Sequence, residues 1–253
     1  MRLAILSDIH GNLSALEAVL ADLEARGPLD ALGVAGDLCE WGPQPRAVLQ
    51  RVRALGCPVV QGNSDRNLTI ADPDELRAMG KSENAIAGLA WTRAQIGDDG
   101  TAYLAALPFA HTFSGPGGQD VLMVHATPTD QEAHLAPDAP PEEVERLLGD
   151  TTAAVVAFGH LHIPYVRAIT IYSRSGASGN TRAHSRAPLL LVDVASVGHP
   201  RDGNRDAAYA TLEWDGAWRA TIHRVHYDLD ATAAAFYAGG MPRPEKRVRE
   251  MYR

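Results

Sequence analysis

The sequence comprises 253 residues, 45% of them apolar, and can therefore bury a sizeable core in one large domain or two small ones. Its formal charge of −8 disfavours non-specific binding to nucleic acid or to an anionic membrane. The two cysteines, Cys39 and Cys57, are typical of a reduced intracellular protein. No apolar run approaches the roughly 20 residues that span a bilayer, and a strand predicted at the N-terminus leaves no signal peptide. We therefore expect a cytoplasmic protein with no membrane partner.

The N-terminal quarter of the chain alternates between predicted strands and helices. Strands and amphipathic helices are predicted in the order strand, helix, strand, helix, strand at residues 3–6, 13–26, 31–35, 43–56 and 59–61. Short apolar strands joined by helices indicate a parallel sheet with right-handed crossovers. In such sheets ligands bind beyond the carboxyl ends of the strands.

The rest of the chain predicts helices first and then mostly strands. Residues 72–107 have the periodicity of two or three helices, which we interpret as a cap-like or outer layer. Further strands are predicted at 109–113, 121–124, 153–158, 166–172, 189–194, 207–214 and 218–227. Residues 173–186, rich in Ser, Gly and Arg, are expected to form an exposed, mobile loop. The basic tail, 241–253, is expected to be a solvated helix or a disordered end. We find no repeat or linker and predict a single domain over 1–253.

Polar side chains with the chemistry of metal ligands follow the ends of five predicted strands. They are Asp8, His10, Asp37, Asn63, His125, His160 and His162. A single histidine is more often a surface or hydrogen-bonded core residue than a ligand. Polar groups at five strand ends on one edge of a sheet are harder to explain as structure, because buried polar groups are costly unless they are paired or bind metal. The joint pattern therefore predicts a metal site.

Seven ligand groups exceed what one tetrahedral ion needs and suit two ions that share a carboxylate, for which Asp37 is the natural bridge. Two divalent ions about 3.5–4 Å apart lower the pKa of a bridging water and stabilise the oxygens of an in-line displacement at phosphorus. Imidazole and carboxylate ligands suit Mn, Fe, Zn, Ni or Co, with Mn as our first choice. The pattern predicts hydrolysis of a phosphoester.

Five segments, in this order, resemble the motifs of the calcineurin-like metallophosphoesterase superfamily: Asp8-Ile9-His10, Gly36-Asp37, Gly62-Asn63, Val124-His125 and Gly159-His160-Leu161-His162. The resemblance implies an α/β fold, a four-layer αββα sandwich of two mixed sheets flanked by helices. It implies one metal held by Asp8, His10, Asp37 and His162, and another held by Asp37, Asn63, His125 and His160. Residues 196–203 are similar to a loop in the small bacterial branch of the family, which includes phosphodiesterases.

Within this resemblance we assign catalysis to Asp37, Asn63 and His125, and substrate binding to Asn12, Asn63 and Arg201. The loop arginines Arg174, Arg182 and Arg186 are further candidates for binding phosphate, although solvated loop charge is the commoner explanation for such residues.

The sequence departs from the family pattern at Ser64. In phosphomonoesterase and protein-phosphatase members, a histidine thought to protonate the leaving group follows the Gly-Asn pair. A serine hydroxyl is a poor acid at neutral pH, so this position favours substrates that leave without strong protonation, or another donor. Three histidines are candidates for that donor, although each is more often an ordinary polar residue: His111, His134 and His199.

The sequence therefore predicts a dinuclear metal-dependent phosphodiesterase in which a metal-bridging hydroxide attacks phosphorus in line. The expected partner is a small phosphoester, with nucleotides among the candidates; nucleic acid is disfavoured and homo-oligomerisation is left open. One alternative is a phosphomonoesterase. Another is a non-catalytic scaffold, because the retromer complex has a subunit with this fold that serves as an interaction module. The complete ligand set disfavours the scaffold.

Overall fold

The computed structural model describes residues 1–170, 172–173, 184–185 and 188–252. The predicted loop over 173–186 therefore lies outside the described residues, apart from two short paired segments. The same applies to Arg174, Arg182 and Arg186.

The elements alternate along the first half of the chain and become mostly strands in the second half. The strands are β1 (Arg2–Leu6), β2 (Ala31–Val34), β3 (Ala110–Phe113), β4 (Val121–Val124), β5 (Val155–Phe158), β6 (Tyr165–Ile169), β7 (Tyr172–Ser173), β8 (His184–Ser185), β9 (Leu189–Asp193), β10 (Ala207–Trp214) and β11 (Trp218–Val225). The helices are α1 (Leu13–Ala25), α2 (Pro45–Leu55), α3 (Asn63–Thr69), α4 (Pro73–Ala78), α5 (Glu83–Ala105), α6 (Pro141–Leu148), α7 (Leu229–Ala238) and α8 (Pro244–Met251).

Two mixed sheets pack face to face between helices. The first has the strand order β11-β10-β1-β2, and the second has the order β3-β4-β5-β9-β6. The pairs β1–β2, β4–β5 and β5–β9 are parallel, whereas the remaining pairs in the two sheets, β1–β10, β10–β11, β3–β4 and β6–β9, are antiparallel. This is the α/β architecture of two mixed sheets flanked by helices that the sequence predicts.

Side-chain alternation along the central strands builds three apolar layers. In β1, Leu3 and Ile5 pack into the cluster between the sheets, whereas Ala4 and Leu6 pack outward among the residues of α1, α2 and α5. In β5, Val155 and Ala157 belong to the same central cluster, and the other two residues of that strand pack against α6. Because these strands are covered on both faces, they are apolar at nearly every position.

The predicted third strand is wrong in extent. Residues 59–61 contribute one parallel bridge, Val34 to Val59, because the chain turns at Gly62 into α3, which we did not predict. We also did not predict α7, while the tail forms α8, in agreement with the helical alternative for that segment.

The predicted helices over 72–107 form α4 and α5, and Gly97 with φ of 71° interrupts α5. Leu76, Leu89 and Leu104 pack from these helices into the cluster beneath α1 and α2. The interpretation of the chain as a single domain stays a prediction. No helix in the part of the chain that the structure describes is both long and apolar enough to cross a membrane.

Candidate metal centre

The loops that carry the predicted ligands share an uncommon backbone conformation. Five predicted ligands have positive φ angles: Asp8 (54°), His10 (47°), Asp37 (56°), His160 (70°) and His162 (60°). Non-glycine residues adopt this left-handed region at a cost in free energy, and such residues cluster at functional sites. A left-handed residue shortly after a strand turns the chain sharply, and the side chains that follow β1, β2 and β5 lie within a few ångströms of one another.

Two glycines allow these loops to approach. A Cβ atom at Gly62 would lie 2.0 Å from Asp37 Oδ1, and a Cβ atom at Gly159 would lie 2.2 Å from Asp8 Oδ2. Neither position can hold a larger side chain while the carboxylate keeps its place.

The first group of ligand atoms, which we call the Asp8 group, consists of Asp8, His10 and His162. Asp8 Oδ1 lies 3.0 Å from His162 Nε2 and 3.6 Å from His10 Nε2, and the two Nε2 atoms are 3.2 Å apart. His10 Nδ1 donates to the carbonyl oxygen of Glu40 at 3.0 Å, and His162 Nδ1 donates to that of His199 at 2.5 Å. With Nδ1 protonated, both Nε2 atoms of the neutral rings present lone pairs, so three acceptors face one another.

The second group, which we call the Asn63 group, consists of Asn63, His125 and His160. His125 Nδ1 donates to the carbonyl oxygen of Ala35 at 2.8 Å, so the Nε2 atom of its neutral ring is an acceptor. This Nε2 lies 2.8 Å from Asn63 Oδ1 and 3.3 Å from His160 Nδ1. The same Asn63 oxygen is 3.2 Å from His160 Nδ1.

Asp37 lies between the two groups. Its Oδ2 is 3.7 Å from His10 Nε2 in the Asp8 group, and its Oδ1 is 3.5 Å from His125 Nε2 in the Asn63 group. Asp8 also approaches both groups, because Asp8, Asp37 and His125 have ligand atoms within 4.8 Å of one another. Either carboxylate is therefore placed to be shared.

Divalent cations fit this arrangement. Asp8 Oδ1 and His160 Nε2 are buried and have no hydrogen-bond partner among the described residues. Converging lone pairs repel one another unless a proton or a cation lies between them, and burial makes an unmatched acceptor costly. Imidazole nitrogens with carboxylate oxygens form a donor set of the kind that transition metals prefer.

The electrostatics favour the protonation states that bind metal. Burial lowers the pKa of His10, and burial with the nearby His125 lowers the pKa of His160 to about 4. Burial alone would raise the pKa of Asp8, yet His162 and His10 hold it well below its ordinary value. Burial also opposes the charged form of His125, but Asp37 and Asp8 outweigh it and raise the pKa of that ring. A cation must therefore displace a proton from His125 to a greater extent than from His10 or His160.

Two residues without an assigned role hold the Asp37 loop. Asp65 accepts hydrogen bonds from the backbone amides of Asp37 at 2.8 Å, Leu38 at 2.9 Å and Gly62 at 3.0 Å. Ser64 donates to Asp37 twice, from its amide to Oδ1 at 2.9 Å and from its hydroxyl to Oδ2 at 2.7 Å. The signal for Asp65 is its place in the first turn of α3, where an acidic side chain bonds the amide that precedes the helix.

The predicted substrate-binding residues occupy different positions. Asn12 caps α1 by accepting from the Ala15 amide, and it donates to the carbonyl oxygen of Gly198, so both polar atoms of its side chain have protein partners. Arg201 is exposed beside the metal centre, with its guanidinium over the ring of Trp41. Trp41 in turn stacks on His10 with ring centroids 4.6 Å apart, a contact that sequence patterns did not indicate. Assignment of these residues to substrate stays a prediction.

The three candidate proton donors also separate in space. His111 lies in β3 and packs on Phe113. His199 is enclosed beside the Asp8 group, where burial and the neighbouring His162 lower its pKa to about 2. His134 is exposed, and its ring centroid lies 5.1 Å from that of His160. Of the three, His134 combines access to solvent with proximity to the predicted ligands.

Comparison with known proteins points to one family. The model of the calcineurin-like phosphoesterase superfamily domain matches residues 1–217. An uncharacterized protein of Methanocaldococcus jannaschii is 32% identical over 235 residues, which cover 90% of this chain and 88% of that protein. The crystal structure of a metallophosphoesterase from Sphaerobacter thermophilus is similar, with 28% sequence identity and a TM-score of 0.72 over 99% of this chain and 98% of that one.

A shorter similarity concerns an enzyme with a named substrate. The symmetrical bis(5'-nucleosyl)-tetraphosphatase of Bordetella pertussis is 36% identical over 132 residues, which are 48% of this chain and 42% of that protein. The match therefore spans less than half of the relative's length.

Proposed function

The chain belongs to the calcineurin-like phosphoesterase superfamily, and we propose that it is a phosphodiesterase with two divalent cations at this centre. One observation carries the proposal. The three ligand atoms of the Asp8 group face one another as acceptors with no donor among the described residues between them, the Asn63 group brings an amide oxygen and two ring nitrogens within 3.3 Å of one another, and Asp37 lies between the two groups. One cation would be held by Asp8, His10, Asp37 and His162, and the other by Asp37, Asn63, His125 and His160.

Bound divalent cations would supply a water of lowered pKa and positive charge for the phosphoryl oxygens, and Mn²⁺ is our first choice among the ions that this donor set suits. The protein contributes orientation. The carbonyl oxygens of Glu40, His199 and Ala35 fix the ring nitrogens that face the centre, and Ser64 and Asp65 fix the Asp37 loop.

The preference for diesters rests on the surroundings of Ser64. This side chain is 1% exposed and its hydroxyl donates to Asp37, so it is not available to protonate a leaving group. A diester carries one negative charge where a monoester carries up to two, and it therefore needs less positive charge at the site. We assign the remaining donor role to His134, which lies beside His160 at the exposed side of the centre.

A nucleotide is the substrate class that the comparisons support best. The tetraphosphatase relative is named for a dinucleoside polyphosphate, and its similarity to this chain extends over 132 residues. A small nucleotide substrate also agrees with the chain's formal charge of −8, which disfavours a long nucleic acid.

A hydrolysis screen on protein loaded with Mn²⁺ tests the proposal. The matched substrates are bis(p-nitrophenyl) phosphate, p-nitrophenyl phosphate, a cyclic nucleotide and a dinucleoside polyphosphate. We expect a higher kcat/KM for the p-nitrophenyl diester than for the p-nitrophenyl monoester. A preference for monoesters would replace the proposal with a phosphomonoesterase, and full metal occupancy without hydrolysis of any substrate would favour the scaffold alternative.

A further inference from the structure

A cavity of about 500 Å³ is lined by the loop whose His199 carbonyl oxygen bonds His162 of the Asp8 group, and Arg201 is its one lining residue with a predicted role in substrate binding. Its walls come from the loop that follows β9 and from α8 in the tail, and they include His199, Arg201, Arg205 and Arg247. The loop is tied directly to a predicted ligand, since His162 Nδ1 donates to the carbonyl oxygen of His199 and the Arg201 amide donates to that of His162 at 3.2 Å. Two lining residues of the cavity, His199 and Arg201, are therefore hydrogen-bonded to a predicted ligand.

The cavity is positively charged although the chain as a whole is acidic. Among the residues that the structure describes, three arginines line it against one carboxylate, that of Glu250, which accepts from Arg247 Nη1 at 3.2 Å. Arg205 lies over the ring of Tyr252 and donates to the carbonyl oxygen of that residue. No carboxylate in the described ranges forms an ion pair with Arg201. The surplus of guanidinium groups suits an anion with several oxygen atoms, such as a phosphoryl group.

Trp41 fixes two of these guanidinium groups beside the metal centre. Its ring stacks on that of predicted ligand His10 with 17° between the ring planes. The guanidinium carbons of Arg201 and Arg247 lie 5.1 Å and 5.6 Å from the indole centroid, within the range of cation–π attraction. Arg247 is half-buried, and the φ angle of Trp41 is 79°, a left-handed conformation that a tryptophan adopts only under constraint. The arrangement connects α8 to His10 through one aromatic ring.

We propose that this cavity is a second phosphate subsite, in which Arg201 and Arg247 hold a phosphoryl group linked to the one that is hydrolysed. The inference rests on the proposed function and narrows its substrate class to esters that carry at least two linked phosphoryl groups, such as nucleoside polyphosphates. In the hydrolysis, the oxygen of water bonds to the reacting phosphorus, and the bond from that phosphorus to its bridging or ester oxygen breaks. The released oxygen becomes part of the second product, and the two protons of water are shared between the two products. The second phosphoryl group is bound and does not react.

A binding experiment without catalysis tests the subsite. Inorganic pyrophosphate and orthophosphate are titrated calorimetrically into chelator-treated full-length protein, as wild type and as the variants Arg247→Gln, Arg247→Lys and Arg249→Gln. Arg249 is the matched control because it is exposed on the same helix and does not line the cavity. We expect Arg247→Gln to weaken pyrophosphate binding by about 10- to 100-fold, since a charge-assisted hydrogen bond is lost, and Arg247→Lys to weaken it less. Arg249→Gln should bind as wild type does.

A kinetic comparison adds a second readout. The substrates are the p-nitrophenyl esters of a nucleoside 5'-monophosphate and of a nucleoside 5'-diphosphate, which share a leaving group and differ by one phosphoryl group. The ratio of kcat/KM for the diphosphate ester to that for the monophosphate ester should fall about tenfold or more in Arg247→Gln and in Arg201→Gln. An unchanged ratio, or the same fall in Arg249→Gln, would overturn the subsite.

Three further outcomes separate the subsite from its alternatives. Equal loss of pyrophosphate binding in Arg247→Gln and Arg247→Lys, with a lowered Tm in both, would show that Arg247 only anchors α8 and would overturn the proposal. Wild-type protein that binds pyrophosphate through Arg247 but hydrolyses no ester would keep the subsite and overturn the proposed function. Hydrolysis of bis(p-nitrophenyl) phosphate without arginine-dependent binding of pyrophosphate would keep the proposed function and overturn the subsite.

Discussion

Asp37 is the residue whose carboxylate lies between the two ligand groups. Its two oxygens face histidines of different groups, and its carboxylate also accepts both hydrogen bonds from Ser64. Asp37→Asn keeps the shape of the side chain but removes its charge, so we expect metal content to fall from about two ions per chain to one or fewer. Elemental analysis of protein reconstituted with Mn²⁺ measures this directly.

Asp74→Asn is the control for the loss of one negative charge, because Asp74 is exposed at the start of α4 and pairs with Arg77. It should retain the metal content of the wild type. If Asp37→Asn still holds two ions, the shared carboxylate is Asp8 rather than Asp37.

His134 gives a prediction about the leaving group. If its imidazole protonates the departing oxygen, His134→Gln should slow alkyl diesters by about 10²-fold or more and aryl diesters much less, because p-nitrophenolate leaves without protonation. The slope of log kcat/KM against leaving-group pKa measures the effect. His111→Gln, in β3, is the matched control and should leave the slope as it is in the wild type. A parallel loss for both substrate classes after His134→Gln would assign this residue to binding instead.

At the scale of elements, α5 contains a matched pair of glycines. A Cβ at Gly88 would have no atom within 4 Å, whereas a Cβ at Gly100 would lie 2.8 Å from Leu49 Cδ2 on α2 and 2.8 Å from Ile96 Cβ. Gly88→Ala should therefore stabilise the protein by about 0.5–1 kcal/mol, the usual gain in a helix interior. Gly100→Ala should destabilise it, because α2 and α5 must move apart. Thermal or urea unfolding of both variants measures these changes in stability. Equal changes in the two variants would contradict the close packing of α2 against α5 at Gly100.

The elements also show why some features could be predicted and others could not. The strand-to-loop junctions after β1, β2, β4 and β5 have local signals, since a predicted ligand follows each of these apolar runs within four residues, and the structure brings all seven predicted ligands together. Residues 59–61 resemble a strand in composition, yet only one bridge forms, because Gly62 already begins α3. A short apolar run does not distinguish an edge bridge from a full strand.

The positions of Trp41 and Arg247 have no local signal. They lie about 200 residues apart in the sequence and meet only because α8 packs over the loop that follows β2. Sequence periodicity describes which face of a helix is apolar, but not which distant loop that helix covers. The match to the family domain ends at residue 217, so α7 and α8 are also outside the part of the chain that the family pattern describes.

For the molecule as a whole, the predicted ligands come from both sheets. Asp8 and Asp37 follow β1 and β2 of one sheet, whereas His125 and His160 follow β4 and β5 of the other. Bound cations would therefore join the two halves of the sandwich at one edge, and a ligand that binds only the folded state raises its stability. Metal binding should protect backbone amides near this edge in both sheets from hydrogen exchange. Protection confined to one sheet would contradict a centre shared between them.

Two buried carboxyl groups near this edge of the sandwich predict how the stability of the fold depends on pH. Burial and the charge of Asp37 raise the pKa values of Glu40 and Asp65 to about 7. Both carboxyls are easier to ionise in the unfolded chain, so each destabilises the metal-free fold increasingly as pH rises from its unfolded pKa towards its folded pKa. Ionisation of these two groups should therefore lower the Tm of the metal-free protein between about pH 4 and 7. Divalent cations should offset this decrease in Tm, because they neutralise the crowded carboxylates.

The measurable quantity is the difference in Tm between Mn²⁺-loaded and chelator-treated protein. We expect this difference to be larger at pH 8 than at pH 5, both because the carboxylates are then ionised and because protons compete less for His125, whose pKa is raised. Glu40→Gln is the matched variant, since it removes one raised pKa and keeps the backbone carbonyl that orients His10. It should flatten the pH dependence of the metal-free Tm. A Tm difference that is constant from pH 5 to pH 8 would mean that the buried carboxylates do not govern the stability of this edge.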